Sequence, residues 1–265
     1  MNAPDPSPVL LTQESGIATL TFNRPSAMNA LDVATAVAFA QACQTLTDTT
    51  DLRVVVLRGA GKAFGVGGDL SAFHDPAHDA QAVANALIAH MHEGVKLLAA
   101  LNAPVLASLH GVVAGGSLSL SLACDLAIAA EGTRFNLAYA NVAANCDVSG
   151  SWNLPRMVGL RNAMQIALLS DTFDAQEALR LGLVNRVVPA QQLEQETAAL
   201  AQRLAKGPTL AYGRMKKLLR QSFANDLAAQ LDAEREAFCA STQTADFKEA
   251  LTAFFAKRPA GFTGQ

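Results

Sequence analysis

Residues 105–130, VLASLHGVVAGGSLSLSLACDLAIAA, decide the fold. The apolar run 105–109 predicts a strand, the glycines of 111–116 predict a turn, and the apolar run 126–130 predicts a second strand after a short helix. The same order occurs earlier, where the apolar strand 53–58 is followed by a glycine-rich loop that ends at Asp69. Uninterrupted apolar strands are typical of a parallel sheet covered on both faces. We therefore predict an α/β fold whose functional loops lie at strand ends.

The flanking segments extend this α/β pattern. Residues 9–14 and 17–22 predict an opening hairpin that turns at Ser15-Gly16, and Asp32 is the predicted N-cap of the next helix. A long helix is predicted over about 80–101.

The C-terminal third is predicted to be mostly helical. Asp174 and Glu177 have the spacing of a capping box, and the last strand is expected at 184–188. From about residue 190 the pattern indicates amphipathic helices, broken near Gly207-Pro208 and around Asn225. Their apolar faces need a partner in the core or in another subunit.

Composition excludes several classes of protein. The chain has 265 residues, of which 51% are hydrophobic, and its net charge of −3 gives no general attraction for nucleic acid or anionic membranes. No apolar stretch is long enough to span a bilayer. The N-terminal residues 1–8 lack a basic start and an apolar run, so we expect no signal peptide and a cytoplasmic protein. The four widely spaced cysteines are expected to be reduced, mostly buried thiols.

The standard nucleotide, metal and serine-hydrolase motifs are absent from the sequence. Gly59-Ala-Gly61 lacks the third glycine of a dinucleotide fingerprint, and Lys62 is followed by Ala63, which excludes a phosphate loop. His90 and His92 are two residues apart and would point in different directions on a helix. We expect no metal site. The two glycine turns remain, and their unpaired backbone N–H groups would suit either a ligand or tight packing.

Several segments, in order and at matching spacing, closely resemble the crotonase (enoyl-CoA hydratase/isomerase) family. They are NRPSAMNAL at 23–31, GKAFGVGGDL at 61–70, HGVVAGG at 110–116 and CDLAI at 124–128. The resemblance implies a spiral of ββα repeats. Residues 1–195 would form the core with the acyl-CoA site, and residues 196–265 a helical region that builds trimers or dimers of trimers.

The resemblance also implies a site for a thioester. The thioester oxygen would lie between the main-chain N–H groups of Gly68 and Gly116, which would stabilise an enolate as an oxyanion hole. Coenzyme A would be part of the substrate, with no covalently bound cofactor. The positions that match coenzyme A contacts are Arg24, Val66, Asp69, Leu70, Phe254 and Lys257, and the last two would reach in from a neighbouring subunit.

The reaction depends on three further positions. Hydratases of this family use two glutamates to activate water, and the matching positions here hold Ser119 and Tyr139. A hydroxyl of ordinary pKa is a poor general base near neutral pH, so we do not expect simple hydration. Asp147, five residues before Trp152, is similar in placement to the catalytic aspartate of bacterial phenylacetate-pathway isomerases (epoxyphenylacetyl-CoA isomerase-like). As one acid and base it could move a proton along a thioester enolate, shifting a double bond or opening a ring.

Three alternatives stay open at the sequence level: an enoyl-CoA hydratase, an aryl-CoA dehalogenase and a catalytically idle homologue that binds coenzyme A. In the dehalogenases of this family an aspartate at the position of Asp147 is the nucleophile, and His92 lies where their catalytic histidine lies. Tyr139 replaces the tryptophan behind that nucleophile and is a further candidate for a catalytic role. Val148-Ser149 stands where the isomerase motif has two glycines, so the substrate stays open.

Overall fold

The computed structural model describes residues 7–75, 77 and 79–265. The expectation about a signal peptide falls largely on residues 1–6, which lie outside the described residues. Within the described ranges the chain forms nine strands: β1 Val9–Glu14, β2 Ile17–Phe22, β3 Val54–Gly59, β4 Val105–Leu109, β5 Val112–Ala114, β6 Leu126–Ala130, β7 Arg134–Asn136, β8 Phe173–Asp174 and β9 Arg186–Val188. The same residues form ten α-helices: α1 Val33–Thr47, α2 Leu70–His74, α3 Ala80–Ala100, α4 Gly115–Ala123, α5 Gly150–Leu169, α6 Ala175–Arg180, α7 Leu193–Ala205, α8 Thr209–Gln221, α9 Leu227–Thr242 and α10 Ala245–Phe255.

The strands form two sheets. The larger sheet has the order β1-β2-β3-β4-β6-β9 and is parallel except for the opening β1-β2 hairpin. The smaller sheet has the order β5-β7-β8. The predicted α/β class, the hairpin and the parallel strands are confirmed. Because the strands run parallel, the loops after β3 and β4 leave the same edge of the larger sheet.

The larger sheet is buried on both faces, as the apolar strands predict. On β3, Val55 and Leu57 face the main core, whereas Val54 and Val56 face a second cluster that includes Leu193 and Ala201 of α7. All four β3 valine and leucine side chains are at most 5% exposed. The sheet therefore forms a rigid base for the two glycine turns.

The predicted N-cap and capping-box residues make the expected contacts, except for the side chain of Glu177. Asp32 caps α1 by accepting from the Thr35 N–H at 2.7 Å. Asp174 accepts from the Glu177 N–H at 2.9 Å, as in a capping box. The Glu177 carboxylate, however, pairs with Arg180 at 2.5 Å, because that guanidinium lies one turn along the same helix.

The two predicted breaks in the C-terminal helices are present, and a third break, which the sequence pattern does not predict, separates α9 from α10 between Thr242 and Ala245. The predicted breaks fall between Ala205 and Thr209 and between Gln221 and Leu227. No helix in the described part of the chain combines the length and apolar character needed to cross a bilayer. The four cysteines are free thiols, and Cys239 differs from the predicted buried state because it lies on an exposed face of α9.

Candidate active site

Main-chain hydrogen bonds join the two glycine turns. The Gly65 N–H donates to the Val112 carbonyl at 3.1 Å, and the Ala114 N–H donates to the Gly65 carbonyl at 2.9 Å. At Gly67, whose φ is +88°, an added Cβ would lie 3.1 Å from the Gly116 nitrogen. A side chain at Gly67 would therefore push the turns apart, and glycine keeps them in contact.

The peptide N–H of Gly68 points to the side opposite the main-chain pairing of this turn with Leu31. Leu31 pairs with this turn in parallel fashion, since its N–H donates to the Gly67 carbonyl at 2.8 Å and its carbonyl accepts from the Asp69 N–H at 2.9 Å. In a parallel pairing the residue between those two partners directs its own N–H to the opposite side. Gly68 lines the cavity on that side.

Gly116 offers a second main-chain donor. It is the second residue of α4, and the first four N–H groups of a helix have no partner within that helix. No acceptor for the Gly68 or Gly116 N–H is found among the described residues. Two backbone donors at one cavity can stabilise negative charge on a carbonyl oxygen.

The cavity that both turns line has a volume of about 520 Å³ and a mostly apolar wall. Helix α3 contributes Ala84, Leu87 and Ile88, a register that the sequence pattern does not fix. Among the lining residues described, Asp147 is the only carboxylate. The predicted site residues that line this cavity are Gly68, Gly116, Val66, Leu70, Tyr139 and Asp147.

Asp147 lies at the end of a short hydrogen-bond chain. The Tyr139 hydroxyl donates to Oδ1 of Asp147, and the Tyr139 oxygen lies 3.1 Å from the Ser119 hydroxyl. A Cβ added to Gly116 would lie 3.6 Å from Oδ1 of Asp147. The carboxylate and the Gly116 donor therefore face the same small volume, while Oδ2 has no partner among the described residues.

Burial controls the acid–base state of this group. Desolvation raises the pKa of Asp147 above its ordinary value, against the opposing effect of the Tyr139 hydrogen bond. Desolvation and then the nearby Asp147 charge raise the pKa of Tyr139. Tyr139 therefore stays a protonated donor, and Asp147 is the group of this pair that can exchange a proton.

His92 lies behind Asp147 and does not line the cavity. Its Nε2 accepts a hydrogen bond from the Val148 N–H at 3.1 Å. His92 is therefore close to the candidate site but contacts the main chain beside Asp147.

The predicted coenzyme A contacts fall into two groups. Arg24 pairs with Asp69 at 3.0 Å and with Asp32 at 3.2 Å, and it also donates to the Ala30 carbonyl, next to Leu31. The hydrogen bond from Ser71 and the Arg24 charge lower the pKa of Asp69. This cluster is bonded to the main chain beside the Gly68 turn, and neither Arg24 nor Asp69 lines the cavity.

Phe254 and Lys257 lie at the C-terminal end of α10 and do not line the cavity of their own chain. Phe254 is 75% exposed. Lys257 has a φ of 53°, and the Arg258 N–H donates to the Ala253 carbonyl at 3.1 Å, which is a Schellman ending. Their exposure at a helix end leaves both side chains available to a partner molecule.

Two residues that organise the turns were not assigned a role from the sequence. The buried Asn29 side chain donates to the carbonyls of Ala60 and Ala63 at 2.9 and 2.8 Å. The Ser117 hydroxyl accepts from the Gly67 N–H at 3.2 Å. Asn29 lies inside the segment 23–31 and Ser117 directly follows the segment 110–116, so a polar residue close to glycines is the available signal. No group of three or more His, Cys, Asp or Glu side chains able to hold a metal occurs among the described residues.

Comparison with known proteins assigns nearly the whole chain to the family that its sequence motifs resemble. The Enoyl-CoA hydratase/isomerase family matches residues 12–265. A probable enoyl-CoA hydratase of Rhodobacter capsulatus is 36% identical over 94% of this chain and 95% of its own length. The 1,2-epoxyphenylacetyl-CoA isomerase of Escherichia coli is 33% identical over 97% of this chain and 98% of its own length. These two relatives are named for different activities, so similarity alone does not distinguish the reactions.

A solved structure of a similar protein has the same fold. A putative enoyl-CoA hydratase/isomerase from Mycobacterium abscessus superposes with a TM-score of 0.91 at 33% identity, covering 97% of this chain and 100% of that one. The predicted spiral architecture is therefore confirmed.

Proposed function

The chain belongs to the enoyl-CoA hydratase/isomerase family of enzymes, which act on acyl-CoA thioesters, and on that premise we propose that it is an acyl-CoA isomerase. It shifts a double bond or opens a ring through a thioester enolate. The observation that carries the proposal is Asp147, the one carboxylate among the described lining residues of a cavity that is also lined by Gly68 and Gly116.

The thioester oxygen binds between the N–H groups of Gly68 and Gly116, which act as the oxyanion hole. A proton removed from the carbon next to the thioester leaves charge on that oxygen, and each preorganised donor contributes roughly 3 to 4 kcal/mol to its stabilisation. Coenzyme A enters as part of the substrate. Val66 and Leu70 of the cavity wall bind it together with Arg24 and Asp69 beside the Gly68 turn, and a neighbouring chain supplies Phe254 and Lys257.

Asp147 carries out both proton transfers. With a 3-enoyl thioester, ionised Oδ2 takes a proton from C2, and the electron pair delocalises over the thioester as a dienolate. The same oxygen then returns the proton to C4, which forms the 2,3 double bond and breaks the 3,4 double bond. Tyr139 holds Oδ1 throughout. A raised pKa suits this cycle, because the group must accept and release a proton at the same pH.

Hydration is disfavoured by the same chain of contacts. It needs a second group to place and activate water, and Ser119 and Tyr139 occupy those positions. The Tyr139 hydroxyl is committed to Asp147, and Ser119 is fully buried.

Dehalogenation is disfavoured by the contact that His92 makes. The Nε2 atom accepts from a backbone N–H, so it is not free to take a proton from water or substrate.

The helical region 196–265 assembles the oligomer in this proposal, as trimers or dimers of trimers. Its large exposed apolar side chains support an interface and include Leu219, Phe223, Leu227, Phe238, Phe254 and Phe255. Sedimentation equilibrium should give three or six chains, and a monomer would contradict this part of the proposal.

Incubation with three substrates tests the reaction. The substrates are a 3-enoyl-CoA, crotonyl-CoA and 4-chlorobenzoyl-CoA, each followed by mass spectrometry. We expect the 3-enoyl-CoA to become its conjugated isomer at unchanged mass. Efficient addition of water to crotonyl-CoA, or exchange of chlorine for hydroxyl, would replace this proposal with hydratase or dehalogenase activity. No turnover of any substrate would favour an idle homologue.

A further inference from the structure

The main chain turns sharply directly after Asp147. The Gly150 N–H donates to the Asp147 carbonyl at 2.8 Å, with φ values of 47° at Val148 and 65° at Ser149. Positive φ at both central residues is the signature of a type I′ turn, which favours glycine and asparagine. A β-branched valine there is strained, at a cost on the order of 1 to 3 kcal/mol.

Two contacts hold Val148 in this unfavourable conformation. Its side chain is buried in the main core at 1% exposure, and its N–H donates to His92 Nε2 at 3.1 Å. His92 lies on α3, whose apolar face packs in the same core through Leu87 and Met91. A rigid helix therefore holds the peptide unit between Asp147 and Val148.

The orientation of that peptide unit controls the direction in which the Asp147 carboxylate points. The Val148 nitrogen and the Asp147 carbonyl belong to one planar group, so fixing the N–H fixes the backbone orientation at the Asp147 Cα. From that Cα the side chain reaches Tyr139 through Oδ1. A turn that relaxed to negative φ would rotate the carboxylate away from the Gly116 donor.

We infer that His92 is a positioning residue for the proposed isomerase: its unprotonated Nε2 holds the strained turn that aims Asp147 at the substrate. His92 does not line the cavity, and in this role it transfers no proton. The inference rests on the proposed function, and it gives this histidine a different role from that of a catalytic base.

Replacing His92 by glutamine or by asparagine distinguishes a positioning role from a general-base role, because the two amide side chains differ in length. The oxygen of glutamine reaches about as far from the main chain as histidine Nε2 and can accept from Val148, whereas the oxygen of asparagine stops about one bond short. Neither amide can act as a general base at neutral pH. His92→Leu removes the acceptor altogether.

The measurement is kcat and KM for a 3-enoyl-CoA with wild type, His92→Gln, His92→Asn and His92→Leu. We expect His92→Gln to keep at least about a third of the wild-type kcat. We expect about a 10- to 100-fold loss of kcat in His92→Asn and His92→Leu, with KM within about threefold, because misplacing a reacting group by about 1 Å costs up to 100-fold. Hydrogen exchange at the Val148 amide should be slow in wild type and His92→Gln and faster in His92→Asn.

An equal loss in His92→Gln and His92→Asn would overturn the inference and favour a catalytic base. Full activity in all three variants would also overturn it. If His92→Leu does not fold, the glutamine and asparagine pair still decides. An inactive wild type would instead overturn the proposed function itself, which distinguishes the two failures.

Discussion

The phenol of Tyr139 donates a hydrogen bond to Oδ1 of Asp147. This contact joins two residues that the sequence separates by eight positions. It satisfies one carboxylate oxygen, and in the proposed mechanism Oδ2 is the oxygen that exchanges the proton. It also opposes the effect of burial, because a donor to the carboxylate favours its charged form.

Tyr139→Phe should therefore shift the pH dependence of isomerisation. Loss of the donor raises the pKa of Asp147 further, and the reaction begins with the ionised form, so the acid limb of the kcat/KM profile should move to higher pH. Activity at pH 7 should fall by roughly 3- to 30-fold. An acid limb that stays in place or moves to lower pH would contradict the assignment of Asp147 as the base.

Gly68→Pro and Gly68→Ala form a matched pair for the oxyanion hole. An added Cβ meets no atom closer than Phe73 at 4.0 Å, so alanine fits and keeps the N–H. Proline removes the N–H and should lower kcat by roughly 100- to 1000-fold. The circular dichroism of both variants checks the fold. Equal activity of the two variants would mean that the Gly68 N–H plays no part.

Asp147→Asn should make the folded protein more stable at neutral pH. Burial raises the folded-state pKa above the unfolded value, so the ionised carboxylate costs stability once the pH has risen through the window between those values. The uncharged amide avoids that cost. We expect a gain on the order of 1 kcal/mol, or about 2–4 °C in Tm.

The pH dependence of this gain is its control. The difference in Tm should disappear below about pH 3.9, the ordinary aspartate value, where both side chains are uncharged. A lower Tm for Asp147→Asn at pH 7 would show that the buried carboxylate stabilises the fold.

The ion cluster around Asp125 should contribute strongly to stability. Asp125 pairs with Lys216 at 2.7 Å and with Arg220 at 2.8 Å, and burial lowers the pKa of Lys216. Asp125→Asn leaves two cations without their counter-ion and should cost about 3 to 5 kcal/mol in the free energy of unfolding. The exposed Asp232–Arg235 pair is the control, and Asp232→Asn should cost less than about 1 kcal/mol by urea denaturation. Similar costs for both variants would contradict this view of Asp125.

Much of the fold follows from local sequence patterns. The hairpin, the apolar parallel strands and the glycine turns carry signals within a few residues, and each has the predicted structure. The convergence of Gly68 and Gly116 follows from parallel topology, since both turns leave the same sheet edge.

The finer contacts of the site depend on long-range packing and could not be predicted. The bond between Tyr139 and Asp147, the pairing of Arg24 with Asp69 and the register of α3 in the cavity have no local signal. A positive φ at Val148 even opposes the local preference, because a β-branched residue favours extended backbone. Tertiary contacts impose that conformation.

The most direct test of the account compares wild type with Asp147→Asn on a 3-enoyl-CoA in D₂O, followed by NMR of the acyl chain. We expect wild type to form the conjugated 2-enoyl-CoA without added water. We expect Asp147→Asn to be at least about 1000-fold slower in kcat, with binding of the thioester retained. Hydrated product from wild type, or comparable isomerisation by Asp147→Asn, would contradict the central claim that one carboxylate moves the proton along the enolate.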